Sequence, residues 1–122
     1  MLRESSQRSG TLDSLNLQGT VNPDADSGVA HGSLLTAFAE AAVRQTDALP
    51  GLRKRVATEL GRQELVDAAG IVANFQRMVR IADGCGIPLD DFTKEATDDV
   101  RDQLGIHEYA SAANTPEARS PK

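Results

Sequence analysis

The sequence predicts an all-α fold, a bundle of about four helices with disordered termini. Apolar residues between positions 33 and 104 recur at three- and four-residue spacing, which is the period of an amphipathic helix. Proline and glycine residues divide this region into four segments. The 122 residues suffice for one domain. We expect a flexible N-terminal segment over 1–28, a helical domain over 29–105 and a disordered tail over 106–122.

The first helix is predicted from about Ser33 to Gln45. Ser33 is the expected N-cap, because its hydroxyl can accept a hydrogen bond from a free first-turn N–H. The second helix is predicted from Pro50, since the N–H that proline lacks is not needed in the first turn, and Gly61 suits its C-terminal stop. The first helix carries one apolar stripe, formed by Leu34, Leu35, Phe38, Ala41 and Ala42.

The third helix, from about Arg62 to Asp83, is expected to organise the fold. One set of its apolar residues has the 3-4-3-4-3 spacing of a helix packed lengthwise on another: Leu65, Ala68, Val72, Phe75, Val79 and Ala82. Four more apolar residues lie outside this seam: Val66, Ile71, Met78 and Ile81. A helix that is apolar on more than one side must be covered on more than one side. We therefore expect a second chain to cover it, in a homo-oligomer.

The fourth helix follows a clear break in the chain. Gly84 and Gly86 are expected to end the third helix, and Pro88 prevents its continuation. Asp90 or Asp91 is the expected N-cap of the fourth helix. Its apolar residues repeat every four positions: Phe92, Ala96, Val100 and Leu104.

Composition narrows the classes of partner. The formal net charge is −5, and the one basic cluster, at 53–55, is close to Glu59 and Glu64. We interpret the cluster as a solvated helix face, because phosphate backbones are bound by larger groups of Lys and Arg. The sequence has no apolar run long enough to span a bilayer and no stretch resembling a signal peptide. We expect a cytoplasmic protein that binds neither nucleic acid nor membranes.

No self-sufficient catalytic or metal site is evident in the sequence. A metal site needs several Cys, His or carboxylate ligands that converge on one point. Neither His31 nor His107 has a second histidine three or four residues away. The carboxylates of Asp98, Asp99 and Asp102 are interpreted as solvated charges on one exposed helix. We expect no metal and no cofactor.

Cys85 and His31 are the two candidates for a catalytic role. Cys85 is the single cysteine and cannot form a two-thiol redox cycle within the chain. Its predicted place just past a helix C-terminus opposes thiolate formation, although Arg80 could compensate. The alternative is a passive, partly buried thiol. His31 precedes a helix, whose dipole favours a neutral imidazole that could act as a base; the alternative is a hydrogen bond to a neighbouring carbonyl.

A polar stripe is predicted on the third helix, with Gly70 in its middle. Its side chains would line a pocket if that side faced a cleft, and the alternative is a solvent-facing or interfacial edge. Two apolar residues complete the predicted pocket or interface set, which is Asp67, Asn74, Arg77, Ile71 and Met78.

Several short motifs follow one another between positions 60 and 89: Leu60-Gly61, Leu65-Val66-Asp67, Asn74-Phe75, Arg80 and Ala82-Asp83-Gly84-Cys85-Gly86-Ile87-Pro88-Leu89. With them, the stretch 31–90 resembles the C-terminal part of alkylhydroperoxidase-D-like proteins of the carboxymuconolactone decarboxylase superfamily. The resemblance implies an all-helical protein that forms homo-oligomers. Peroxidase members of that family carry a Cys-x-x-Cys pair with a nearby His and Glu. The sequence lacks this motif, so no catalytic residue carries over.

The leading functional hypothesis is a non-redox helical module that acts by self-association or by packing against a helical partner protein. One alternative is a shortened peroxidase- or decarboxylase-like enzyme that acts on a peroxide or small molecule. Such an enzyme would use His31, Cys85 or an active site completed by a partner chain. A third hypothesis is an acidic regulatory adaptor bound through an Ala/Val/Ile-rich face. The sequence leaves open whether the chain is an enzyme.

Overall fold

The computed structural model describes residues 15–22 and 24–115, and this part of the chain is all-α, as predicted. Its four α-helices are α1 (Gly32–Arg44), α2 (Leu49–Glu59), α3 (Arg62–Cys85) and α4 (Asp91–Gln103). Three short 3-10 helices cover Leu17–Thr20, Ile106–Glu108 and Ala110–Asn114. The chain divides into two compact units, 1–72 and 73–122, and the division falls within α3.

The start of α1 differs from the prediction. The N-cap is His31, in the left-handed region at φ 56°, and its side chain makes no capping hydrogen bond. Gly32 N–H donates to the Val29 carbonyl at 2.8 Å, so the turn already leads into the helix at Gly32. Ser33 therefore lies inside the first helical turn and is not the N-cap. The helix ends at Arg44, one residue before the predicted end, and the N–H of its C-cap Gln45 donates to the Ala41 carbonyl.

The first unit contains the buried core. Leu34, Phe38 and Ala41 lie at i, i+4 and i+7 of α1, so they share one side of that helix, and α2 adds Val56, which has no exposed surface. Full burial of one such large side chain stabilises a fold by about 1.5–3 kcal/mol. Partly buried residues surround this cluster: Leu49, Leu52, Leu60, Leu65 and Ala68.

A hydrogen-bonded turn precedes α1, within the segment predicted to be flexible. The Asn16 backbone N–H donates to the Ser27 carbonyl, and its side-chain amide donates to the Asp26 carbonyl, each at 3.0 Å. Gly19 is buried against Ser27, and a β-carbon at this glycine would lie 2.6 Å from the Ser27 β-carbon. The flexibility of this segment stays a prediction, and 1–14 lie outside the described residues.

The end of α3 corrects a second local prediction. Gly84 lies inside the helix and does not end it. The stop is Gly86 alone, which has a φ of 61°, a value that glycine adopts at little cost. Beyond it, the Ile87 N–H donates to the Ala82 carbonyl at 3.1 Å and so satisfies one carbonyl of the last turn.

The second unit contains α4, which begins with a complete cap. The Asp90 carboxylate accepts hydrogen bonds from the Thr93 N–H at 2.8 Å and the Thr93 hydroxyl at 2.7 Å, which selects Asp90 from the two predicted caps. Val100 and Leu104 are partly buried beside the following 3-10 helix. None of the described residues from 73 to 115 is fully buried. Positions 106–115 belong to the predicted disordered tail, whose last residues, 116–122, lie outside the described part.

Candidate functional site

One side of α3 is covered in the first unit. Leu65 and Ala68 pack against the core cluster that contains Leu34, Phe38 and Val56. These two residues begin the predicted apolar seam, so the first part of that seam is covered by the chain's own core.

Six other large apolar residues of α3 are exposed, whereas Val72 is partly buried. Their exposed fractions run from 48% for Val79 to 64% for Val66. Two of them, Phe75 and Val79, belong to the predicted seam, so within the described chain these two seam residues are not covered, and their packing against another helix stays a prediction. No residue of α3 is buried. The exposed set comprises Val66, Ile71, Phe75, Met78, Val79 and Ile81.

The predicted polar stripe lies on the side of α3 opposite Leu65 and Ala68. An α-helix turns by about 100° per residue, so residues separated alternately by three and four positions share one side. The spacing from Asp67 to Ile81 is 3-4-3-4, and all of these residues except Gly70 have exposed side chains. We name this set the α3 stripe: Asp67, Gly70, Asn74, Arg77 and Ile81.

Ile71 and Met78 flank the α3 stripe on one edge, and Val66 flanks it on the other. All three are at least half exposed. The helix therefore brings the five predicted pocket or interface residues together on one side of α3. The geometry is that of an open surface on one helix, which suits association more than enclosure of a small molecule.

Polar contacts within the stripe are local. The Gln63 amide donates to the Asp67 carboxylate at 3.0 Å, and the Arg77 guanidinium donates to the Asn74 side-chain oxygen at 2.9 Å. The Asn74 amide group lies 3.9 Å from the Met78 sulfur. Within the described part of the chain, neither Asp67 nor Arg77 forms an ion pair. Both charges thus lie on an exposed surface without an opposite charge beside them.

The two catalytic candidates are also exposed. His31 lies in the first unit at the start of α1, and Cys85 is the last residue of α3 in the second unit. Cys85 was predicted to lie just past the end of the helix, with a passive, partly buried thiol as the alternative. It is instead exposed, and it lies within α3 because the helix continues through Gly84. No group of three or more His, Cys, Asp or Glu side chains in 15–22 and 24–115 could hold a metal ion.

Sequence reasoning missed some exposed residues. Phe75 and Val79 were assigned to a covered seam, and Phe92, the most exposed large apolar residue described, was assigned to an apolar stripe. Seam spacing identifies the side of a helix that can pack, and it carries no signal for the presence of a covering element.

Comparison with known proteins gives no match to a family model, a curated protein or a solved structure. The resemblance to alkylhydroperoxidase-D-like proteins thus stays a prediction. Among the described residues, no helix combines the length and apolar character needed to cross a bilayer.

Proposed function

We propose that this chain is a non-redox helical module, related to alkylhydroperoxidase-D-like proteins, that acts by associating with a second copy of itself through α3. The observation that carries the proposal is a set of four large apolar side chains in or beside the α3 stripe, each 49% to 64% exposed: Val66, Ile71, Met78 and Ile81. Exposed apolar side chains grouped on one side of a helix are typical of an interaction site.

The energetics allow such pairing. Full burial of a large apolar side chain contributes about 1.5–3 kcal/mol, so covering these four half-exposed side chains on each of two copies contributes on the order of 10 kcal/mol. Loss of translational and rotational freedom on association costs about 4–15 kcal/mol. Because these magnitudes are similar, one unpaired charge in the interface is enough to prevent association.

A second copy is a better occupant than an unrelated helix because the surface carries both signs of charge. Asp67 and Arg77 lie on the same side of α3, and neither has an ion-pair partner in the described chain. A surface with one acid and one base matches another copy of itself in charge.

The proposed function excludes a peroxidase cycle of this chain by itself. A peroxide oxidises a thiolate to a sulfenic acid, and a second thiol then condenses with it to form a disulfide and release water. Cys85 is the single cysteine of the chain, so no second thiol is available within it. We place the protein in the cytoplasm, where a lone exposed thiol stays reduced.

The self-association is tested by sedimentation of the purified chain over a range of concentrations. We expect a mass well above 13.0 kDa for the wild type. Ile71→Glu should return the monomer, because it places an unpaired charge in the proposed interface. Val43→Glu is the matched control, since Val43 is an exposed apolar residue of α1 outside this surface. A wild-type monomer at tens of micromolar would refute the proposal.

The non-redox character is tested by peroxide consumption with a dithiol reductant. We expect the wild type and Cys85→Ser to remain at the same background rate. Repeated turnover by the wild type that disappears in Cys85→Ser would support the enzyme hypothesis instead.

A further inference from the structure

We infer that two copies pair antiparallel along the α3 stripe, with Asp67 of each copy against Arg77 of the other. This inference rests on the proposed self-association and specifies its geometry. Its basis is the order of side chains along one helix, Arg62–Cys85.

The side chains of the α3 stripe are complementary to those of a second copy of the helix that runs in the opposite direction. Asp67 lies five residues before Val72 and Arg77 lies five residues after it. Gly70 and Asn74 lie two residues before and two residues after the same point. An antiparallel pair centred on Val72 therefore places each acid opposite a base and each glycine opposite an asparagine. Alternating three- and four-residue spacing is the pattern with which two helices interdigitate.

Gly70 adds a steric observation that supports this pairing. A β-carbon built on Gly70 would have no atom within 4 Å, so the surface above this glycine is open. A helix without a side chain at this position allows a neighbouring backbone to approach closely. The Asn74 side chain of the second copy would occupy that space. Ile71 and Met78 at one edge, with Val66 at the other, would then exclude water from the ion pairs.

The parallel arrangement is unfavourable for the same surface. It would place Asp67 opposite Asp67 and Arg77 opposite Arg77. Like charges facing each other across an interface cost several kcal/mol. The antiparallel arrangement converts both repulsions into attractions, so the charge order selects it.

Charge reversal tests the orientation. Asp67→Arg and Arg77→Asp, measured separately by sedimentation, should each raise the dissociation constant by roughly tenfold or more, because each creates like-charge contacts at both ends of the pair. The double variant D67R/R77D should restore the affinity to within about threefold, since every acid again faces a base. Arg53→Asp on α2 controls for the change in net charge, because Arg53 is exposed and lies on a different helix from the α3 stripe.

A steric substitution and the native thiol provide independent measurements. Gly70→Leu should abolish association while circular dichroism shows an intact fold, and Gly51→Leu on α2, which also meets nothing within 4 Å, should not. In the antiparallel pair the two Cys85 residues lie about 40 Å apart, from a rise of about 1.5 Å per residue. Mild oxidation should therefore leave the wild-type pair without an intermolecular disulfide.

The two proposals fail in different ways. A monomeric wild type removes the self-association itself. A wild-type dimer that is unaffected by the single charge reversals, or that forms a Cys85 disulfide on oxidation, removes the antiparallel orientation and leaves the self-association in place.

Discussion

The two units of this chain have different amounts of buried apolar surface. In the first, Leu34, Phe38, Ala41 and Val56 are buried, and they come from two helices separated in the sequence. In the second, none of the described residues from 73 to 115 is buried. Contacts between distant residues therefore stabilise the first unit, whereas the second depends on contacts between sequence neighbours and on whatever covers its apolar side chains.

The helix starts show the same difference. The N-cap of α1, His31, makes no side-chain hydrogen bond, yet three residues of that helix are buried. The N-cap of α4, Asp90, makes two hydrogen bonds to Thr93, yet no residue of that helix is buried. Core packing thus compensates for a poor cap in α1. Local contacts of the kind found in α4 contribute only tenths of a kcal/mol to about 1 kcal/mol each, so such a helix is marginal by itself.

The largest expected effect comes from removing one aromatic ring from each unit. Phe38 is 3% exposed and Phe92 is 82% exposed. Phe38→Ala should lower the free energy of unfolding by about 3–5 kcal/mol, because it removes a packed ring and leaves a cavity. Phe92→Ala should change it by no more than about 0.5 kcal/mol, since the ring is already in water. Urea denaturation followed by circular dichroism measures both.

The pair of phenylalanine variants can also contradict the comparison. Equal losses of stability would mean that Phe92 is covered in the folded protein, and the second unit would then have a core of its own. Measuring both variants below the concentration at which the wild type associates separates folding from assembly.

The four helices could be predicted because their boundaries depend on local chemistry. Pro50 in the first turn of α2, Gly61 after it and Gly86 after α3 act through their own backbone preferences. The cap of α1 could not be predicted from side-chain type, because the backbone bends at His31 and leaves Ser33 inside the helix. A cap is set by the direction from which the chain enters, which depends on residues outside the helix.

The α3 surface was predictable in one respect and not in another. Helical periodicity alone places Asp67, Asn74 and Arg77 on one side of α3. Whether Phe75 and Val79 are covered depends on the presence of a neighbouring element, and their spacing in the sequence is the same in both cases. The position of Cys85 was not predicted, because it depends on whether Gly84 continues the helix. Glycine tolerates a helical conformation but does not favour it, so Gly84 was expected to end α3.

The smallest expected effect concerns the cap of α4 and its dependence on pH. The backbone hydrogen bond from Thr93, with that from its hydroxyl, lowers the pKa of the Asp90 carboxyl below its ordinary value. Because the folded-state pKa is the lower one, the stabilisation is complete above the ordinary aspartate pKa of about 3.9 and is lost as the pH falls through the folded-state value. The Thr93 amide resonance should therefore shift in an NMR titration below about pH 4.

Two substitutions at Asp90 separate charge from capping. Asp90→Asn keeps an N-cap oxygen that can accept from the Thr93 N–H, so α4 should persist while its response to acid disappears. Asp90→Ala removes the acceptor and should fray the first turn of α4 at neutral pH. Neither change should affect α1, whose buried residues hold it without a side-chain cap. If the Thr93 amide still responds to acid in Asp90→Asn, another carboxyl group controls this helix. The second unit would then be stabilised by more than contacts between sequence neighbours.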